Sequence, residues 1–196
     1  MGVTTAIQHM IGGGDMAAIF RRALLIAALL LLARPAAADP ATIARGKYLV
    51  IIASCNDCHT PGYFLGKPDM TRYLAGSDVG FGIPGLGVFV GRNLTPDKET
   101  GLGNWSTSEI VRALTTGVRP DGRILAPIMP WRAFADLTAP DALAIAAFLQ
   151  SLPPVRNAVP GPFGPDQPVT AQHVMAVIPP SVWSGLPKPP PAAAKP

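Results

Sequence analysis

The run Cys55-Asn56-Asp57-Cys58-His59 constrains this chain more than any other feature, because it places two thiols and an imidazole within five residues. The pattern C-x-x-C-H is typical of a c-type haem attachment site. Two thiols at this spacing can form thioether bonds with the two vinyl groups on one edge of a porphyrin. The imidazole after the second thiol can then stand beneath the iron as an axial ligand. The motif predicts covalent haem on Cys55 and Cys58, with His59 bound to the iron.

Three other chemistries use two cysteines at this spacing. A zinc site needs two further ligands, yet the chain has only two cysteines, and its other histidines, His9 and His173, are far away in sequence. A thioredoxin-like dithiol needs no histidine and usually lies between a strand and a helix. A structural disulfide across two residues would close a tight ring. Haem attachment is the interpretation that uses all three side chains.

The N-terminal segment has the pattern of a secretory signal peptide. Two arginines at 21–22 precede eleven apolar residues, 23–33, and an Ala-x-Ala site at 36–38 stands directly before Asp39. Eleven residues are few for a membrane anchor, which needs about 20. We therefore expect residues 1–38 to be removed on export to the periplasm, an oxidising compartment in which covalent haem attachment takes place.

The charge of the chain does not indicate a nucleic-acid partner. The 16 Lys and Arg and 12 Asp and Glu give a net charge of +4, and removal of residues 1–38 takes away three arginines and one aspartate, which leaves +2. There is no basic stripe interleaved with aromatic residues. The sequence leaves open whether the signal segment begins at Met1 or at Met16.

Helix signals recur within residues 39–154, which we predict to be the folded domain. Gly46 lies inside the first predicted helix, where a glycine costs about 1 kcal/mol relative to alanine. We expect the last helix to pack closely across Gly46, because close packing would explain that glycine. The N-caps Asp39, Ser106 and Thr138 predict helices over 40–52, 107–116 and 139–152.

The remaining segments are rich in glycine and proline. Residues 60–100 predict loops, with at most a short hairpin near 88–90. A G-x-G-x-x-G match at 80–85 is not a nucleotide site, because Pro84 interrupts the helix that should follow. Thirteen of the 23 prolines lie in residues 153–196, so we expect 155–196 to be an extended tail that is either disordered or an arm bound along a partner.

The second axial ligand of the iron has four candidates in the mature chain, Met70, Met129, Met175 and His173. Met129 lies in Ala126-Pro127-Ile128-Met129-Pro130-Trp131, where prolines on both sides restrain an irregular backbone. A thioether held in this way can bind the iron opposite His59. An open iron face would instead indicate a gas- or peroxide-reactive centre.

Haem propionates need charge-assisted hydrogen-bond donors when they are buried. The candidate donors combine one indole and several cationic or amide side chains. They are Trp105, Arg92, Asn93, Arg119 and Arg123.

Several motifs follow one another in a fixed order. They are the run from Ile43 through His59, Asn93-Leu94-Thr95-Pro96-Asp97, Thr100-Gly101-Leu102-Gly103-x-Trp105-Ser106, Gly117-x-Arg119-Pro120-Asp121-Gly122-Arg123, Pro127-x-Met129-Pro130-Trp131 and Leu149-x-Ser151-Leu152-Pro153-Pro154. Over about residues 41–180, this series resembles the class I c-type cytochromes, and more narrowly the cytochrome c subunits and domains of periplasmic alcohol, aldehyde and related dehydrogenases.

The resemblance implies an all-α class I cytochrome c fold, with three to five helices around one covalent haem, long loops and an extended Pro-rich tail. It implies His59 and Met129 as axial ligands and electron transfer from a dehydrogenase towards the respiratory chain. Dehydrogenase cytochrome subunits often carry three haem motifs, whereas this chain carries one.

Two alternative functions stay open at this point. An open distal iron face would indicate a small-molecule sensor or a peroxidase-like enzyme, and a protein without haem would be a disulfide-bearing scaffold. No nucleophile–base pair is apparent, so we expect an electron-transfer protein rather than an enzyme.

Overall fold

The computed structural model of the chain describes Arg21 and residues 38–175. Almost all of the predicted signal segment, 1–38, and the part of the tail beyond Met175 therefore lie outside the described residues. None of the described helices is long and apolar enough to span a membrane. The described α-helices are α1 (Pro40–Ile52), α2 (Cys55–His59), α3 (Thr107–Thr116), α4 (Trp131–Phe134) and α5 (Ala139–Ser151), and the strands are β1 (Val79–Ile83), β2 (Gly87–Val90) and β3 (Gln172–Met175). Two short 3-10 helices, Tyr63–Leu65 and Met70–Arg72, lie between α2 and β1.

The three long helices begin at the predicted caps. The Asp39 carboxylate accepts hydrogen bonds from the backbone N–H groups of Ala41 and Thr42, at 3.0 and 3.1 Å. Ser106 and Glu109 form a capping box at the start of α3, and the Thr138 hydroxyl accepts from the Asp141 N–H at the start of α5. Each cap satisfies backbone donors that the first turn of a helix leaves free.

Helices α1 and α5 pack directly against each other at Gly46, as predicted. A Cβ atom at Gly46 would lie 1.9 Å from the carbonyl oxygen of Ala144 and 2.8 Å from Cβ of Phe148. Only glycine allows the two backbones to approach this closely, and the contact offsets the unfavourable helix propensity of glycine. The neighbouring core side chains are Leu49, Val50, Leu74, Ile110, Ile145, Ala146, Phe148 and Leu149.

The prediction of an all-α fold is wrong, because the structure contains a three-stranded sheet in the order β2-β1-β3. Strand β1 has glycine at two alternate positions, which gives it little strand propensity in the sequence. In the sheet these glycines leave room for neighbouring side chains. A Cβ at Gly80 would lie 2.9 Å from Cγ1 of Val88, and one at Gly82 would lie 3.0 Å from Cε of Met175.

The first part of the predicted tail packs against the domain. The backbones of Phe163 and Val88 exchange two hydrogen bonds of 2.9 Å, and β3 pairs with β1 in parallel, with Gly80 opposite His173. The segment from Val155 to Met175 is therefore part of the fold. A partner-binding role for the residues beyond it stays a prediction.

Substitution of Gly46 by alanine should destabilise the protein by at least about 2 kcal/mol, because the new methyl group must displace the Ala144 backbone. Denaturant unfolding measures the effect. Lys47→Ala is the matched control, since Lys47 is exposed on the same helix and should change the free energy of unfolding by less than about 0.5 kcal/mol. Equal stability of the two variants would contradict the packing described here.

Candidate haem site

The five residues of the C-x-x-C-H motif form the short helix α2, which follows α1 after a tight turn. The turn is possible because Ser54 adopts a left-handed conformation, with φ of 54°. The Thr60 N–H donates to the carbonyl of Asn56 and closes the helix at 2.9 Å. Cys55 packs against the hydrophobic core, and both cysteines are unpaired thiols. One helical turn therefore carries both thiols and the imidazole.

The His59 side chain is held in one orientation by a backbone carbonyl. His59 is 8% exposed, and its Nδ1 lies 2.6 Å from the carbonyl oxygen of Arg92. A carbonyl can only accept, so Nδ1 carries the proton and donates it. The remaining ring nitrogen, Nε2, keeps its lone pair for a metal, which is the arrangement commonly found for metal-bound histidine.

The segment that supplies this carbonyl lies directly against α2. A Cβ atom at Gly91 would be 1.7 Å from the carbonyl oxygen of Cys58 and 3.4 Å from Nδ1 of His59. Any larger residue would push the Arg92 carbonyl away from His59. On the other side, the Gly76 N–H donates to the His59 carbonyl at 2.8 Å. Gly76 and Gly91 were not predicted as site residues, because no local pattern distinguishes them from loop glycines.

Burial keeps the three motif side chains uncharged. Burial lowers the pKa of His59, while the hydrogen bond to the Arg92 carbonyl acts in the opposite direction. Burial also raises the pKa of Cys55 to about 11, and burial together with the charge of Asp57 raises the pKa of Cys58. Neutral thiols at neutral pH disfavour a thioredoxin-like redox pair, whose reactivity depends on a thiolate. A neutral imidazole is the form that binds a metal.

The structure does not favour a zinc site. No group of three His, Cys, Asp or Glu side chains with metal-binding geometry occurs among residues 38–175. His173 is exposed on β3, where its Nδ1 lies 3.1 Å from the Ala171 carbonyl.

Met129 lies half-buried in an irregular turn directly before α4. Its N–H donates to the Ala126 carbonyl at 3.0 Å, and its carbonyl accepts from the Trp131 N–H at 2.8 Å. Both bonds hold the turn without helix or sheet. Met70 and Met175 are 62% and 56% exposed. Met129 is thus the least exposed of these three methionines, and its role as iron ligand stays a prediction.

Trp131 is a further candidate that sequence reasoning did not include among the site residues. Its indole Nε1 is buried and has no hydrogen-bond partner among the described residues. The indole ring lies on Gly117, where a Cβ atom would be 2.7 Å from two ring carbons. A buried donor without a partner costs about 1–3 kcal/mol, which is consistent with an acceptor supplied by a bound group. The sequence could have indicated Trp131 as a site residue, because it lies two residues after Met129.

Three arginines lie near one another on the strand–turn segments around the site. Burial lowers the pKa of Arg92, and the positive charges of Arg119 and Arg123 lower it further. Arg119 also stacks on Trp105, with 5.2 Å from Cζ to the ring centroid. Asp121 pairs with Arg123 at 2.8 Å and with Arg119 at 3.4 Å, and the hydrogen bond from Arg123 is the main reason that its pKa falls to about 2. Asp121 thus pairs with two of these three guanidinium groups, which leaves an excess of positive charge.

The side chains of Arg92 and Asn93 bind the chain beyond Leu152 in this structure. The Arg92 guanidinium donates to the carbonyls of Val159 and Gly161. The Asn93 amide donates to the Val155 carbonyl at 2.7 Å. The structure thus brings the backbone carbonyl of Arg92 to His59, and the side-chain contacts of Arg92 do not test a role at the propionates.

These residues include the kinds of groups that a covalently attached haem needs. Thiols suit the haem vinyl groups, a neutral imidazole and a thioether suit the iron, and positive charge suits the carboxylates.

Comparison with known proteins gives related proteins but no matching protein-family model. The chain is 36% identical over 118 residues to the fructose dehydrogenase cytochrome subunit of Gluconobacter japonicus, a match that covers 60% of this chain and 22% of the relative. It is 37% identical over 111 residues to the cytochrome c subunit of the quinone alcohol dehydrogenase of Gluconobacter oxydans, covering 57% and 21%. A diheme cytochrome c-type protein of Cereibacter sphaeroides is 30% identical over 135 residues, covering 65% and 44%.

The chain spans only about a fifth of the length of the first two relatives. The matches nevertheless confirm the resemblance that the order of the motifs predicts. The chain is similar to the cytochrome c subunits of dehydrogenases.

Proposed function

We propose that this chain is a single-haem c-type cytochrome that carries electrons from a dehydrogenase towards the respiratory chain, as an electron-transfer subunit without a catalytic site of its own. The observation that carries the proposal is the state of His59. Its buried ring donates from Nδ1 to the Arg92 carbonyl and leaves Nε2 free, directly after two unpaired thiols at the spacing for haem attachment.

Each part of the haem has a proposed partner. Cys55 and Cys58 would form the two thioether bonds, and His59 and Met129 would be the iron ligands. The bound haem supplies a one-electron couple, and the protein supplies ligation, burial and nearby charge. With two cysteines in the sequence, there is one such attachment site.

The propionate side is formed by cationic and polar donors. Arg119 and Trp105 form a stacked pair, and Arg123 adds a second cation to the same turn. The negative propionates would offset the positive charge of this turn and accept hydrogen bonds from its guanidinium groups. Arg92 and Asn93 remain candidates here, although their side chains bind backbone carbonyls in this structure.

The proposed partner is a dehydrogenase, because the relatives named above include cytochrome subunits of a fructose and an alcohol dehydrogenase. We propose a periplasmic location after removal of residues 1–38, which agrees with the signal pattern and with haem attachment outside the cytoplasm. The electron acceptor is then a component of the respiratory chain.

Substitution of Met129 by alanine should abolish the weak near-infrared absorption that a thioether–iron bond gives in the oxidised protein, because the iron loses its sulfur ligand. The band is measured on purified protein with covalent haem. Met70→Ala is the matched control, since Met70 is 62% exposed, and it should leave the band unchanged. A band of full intensity in Met129→Ala would rule out Met129 as the ligand.

The function itself is tested by isolation of the protein from its native host. We expect mass spectrometry to show one haem adduct on the mature chain, beginning at Asp39. We also expect a dehydrogenase to copurify and to reduce the haem when its substrate is added. A mature chain without the adduct contradicts the haem assignment, whereas a haem protein that no dehydrogenase reduces contradicts the proposed role.

A further inference from the structure

We propose that residues 155–163, here called the C-terminal strap, hold the proximal ligand His59 in place through Arg92. Arg92 is then a positioning residue that adjusts the reduction potential of the haem. This inference rests on the proposed function, since it takes His59 as an iron ligand. The residues that it concerns, Arg92 and the strap, are not the proposed iron ligands.

Arg92 connects His59 to the strap, because its backbone contacts His59 and its side chain contacts the strap. Its backbone carbonyl accepts the Nδ1–H of His59 at 2.6 Å. Its guanidinium donates through Nη1 to the Val159 carbonyl and through Nη2 to the Gly161 carbonyl. The side chain is half-buried, so these carbonyls replace water as its hydrogen-bond acceptors. A displacement of the strap therefore removes the restraint on the residue whose carbonyl orients the imidazole.

A second contact joins the strap to the backbone of His59. The Gly76 N–H donates to the His59 carbonyl at 2.8 Å. Gly76 also lies against the strap, because a Cβ atom there would be 2.3 Å from Cγ2 of Val159. Val159 thus contacts both residues that bind His59, Arg92 through its carbonyl and Gly76 through its side chain.

Buried polar groups anchor the start of the strap. The Asn93 amide donates to the Val155 carbonyl at 2.7 Å, and the Val155 N–H donates to the Thr95 hydroxyl at 3.1 Å. Asn93 and Thr95 are each 1% exposed. The Asn157 amide donates to the Ala75 carbonyl at 2.8 Å. Because buried hydrogen bonds are costly to leave unsatisfied, this end of the strap has a defined position from which Val159 and Gly161 can hold Arg92.

The expected effect on the haem follows from the hydrogen bond at Nδ1. A carbonyl that accepts from a ligating imidazole makes the imidazole a stronger electron donor. A stronger donor stabilises the oxidised iron and lowers the reduction potential. Weakening this hydrogen bond should therefore raise the potential.

Arg92→Lys is the informative variant, because lysine keeps the positive charge but lacks the planar fork that reaches two carbonyls. On the haem-loaded protein we expect the potential to rise, with the equilibrium between the oxidised and reduced forms shifted about tenfold, or about 59 mV for one electron. Tryptic cleavage after Arg156, within the strap, should also become faster.

Arg156→Lys is the matched control. Arg156 lies in the strap and pairs with Glu99 at 2.6 Å, but both side chains are largely exposed, at 72% and 62%. Exposed pairs of this kind contribute little, so the potential should equal that of the wild type. Val159→Gly tests the strap without any change of charge. It removes the side-chain contact with Gly76, and we expect the reduction potential to rise here as well.

The outcomes separate the inference from the proposed function. A wild-type protein without covalent haem contradicts the proposed function. A haem-loaded Arg92→Lys protein with wild-type potential overturns the inference, whether or not the strap is cleaved faster. Should Arg92→Lys fail to fold, an unchanged potential in Val159→Gly overturns it equally.

Discussion

The contact between the backbone at Gly91 and the carbonyl of Cys58 is the constraint on which the rest of the site depends. Because Gly91 has no side chain, the chain can lie against helix α2, and the next carbonyl, that of Arg92, then meets Nδ1 of His59. Strand β2 ends at Val90, directly before this contact. The sheet thus bears on the site, since it delivers the carbonyl that selects the tautomer of His59.

The second consequence of this packing is electrostatic. His59 is enclosed by backbone, and burial lowers its pKa, which favours the neutral ring. The same enclosure raises the pKa of Cys55 to about 11. Neutral thiols and a neutral imidazole suit a site in which the thiols form thioether bonds and the imidazole binds iron. It is poorly suited to thiolate chemistry, which needs the opposite pKa shift. The directions of these pKa shifts agree with the haem interpretation that the spacing predicts.

The parts of the structure that could be predicted are those with local causes. Asp39 and Thr138 cap helices because their side chains reach N–H groups two or three residues away, and Gly46 indicates a close helix contact because glycine is otherwise unfavourable there. Strand β3 pairs with β1 across about 90 residues, and nothing in its own sequence indicates that partner. The glycines in β1 make this strand harder to predict from the sequence, because the space that they leave is filled by side chains of other strands.

The arginines show why the site was only partly predictable. A guanidinium group suits a carboxylate and a pair of backbone carbonyls almost equally well, so a sequence can identify Arg92 and Arg119 as donors without identifying their acceptors. For Arg92 the acceptors lie 67 and 69 residues further along the chain, and their position depends on where the strap returns. Arg119 and Arg123 share one carboxylate within their own turn. That turn retains surplus positive charge, whereas the Arg92 guanidinium already has two backbone carbonyls as acceptors and connects the strap to the carbonyl that binds His59.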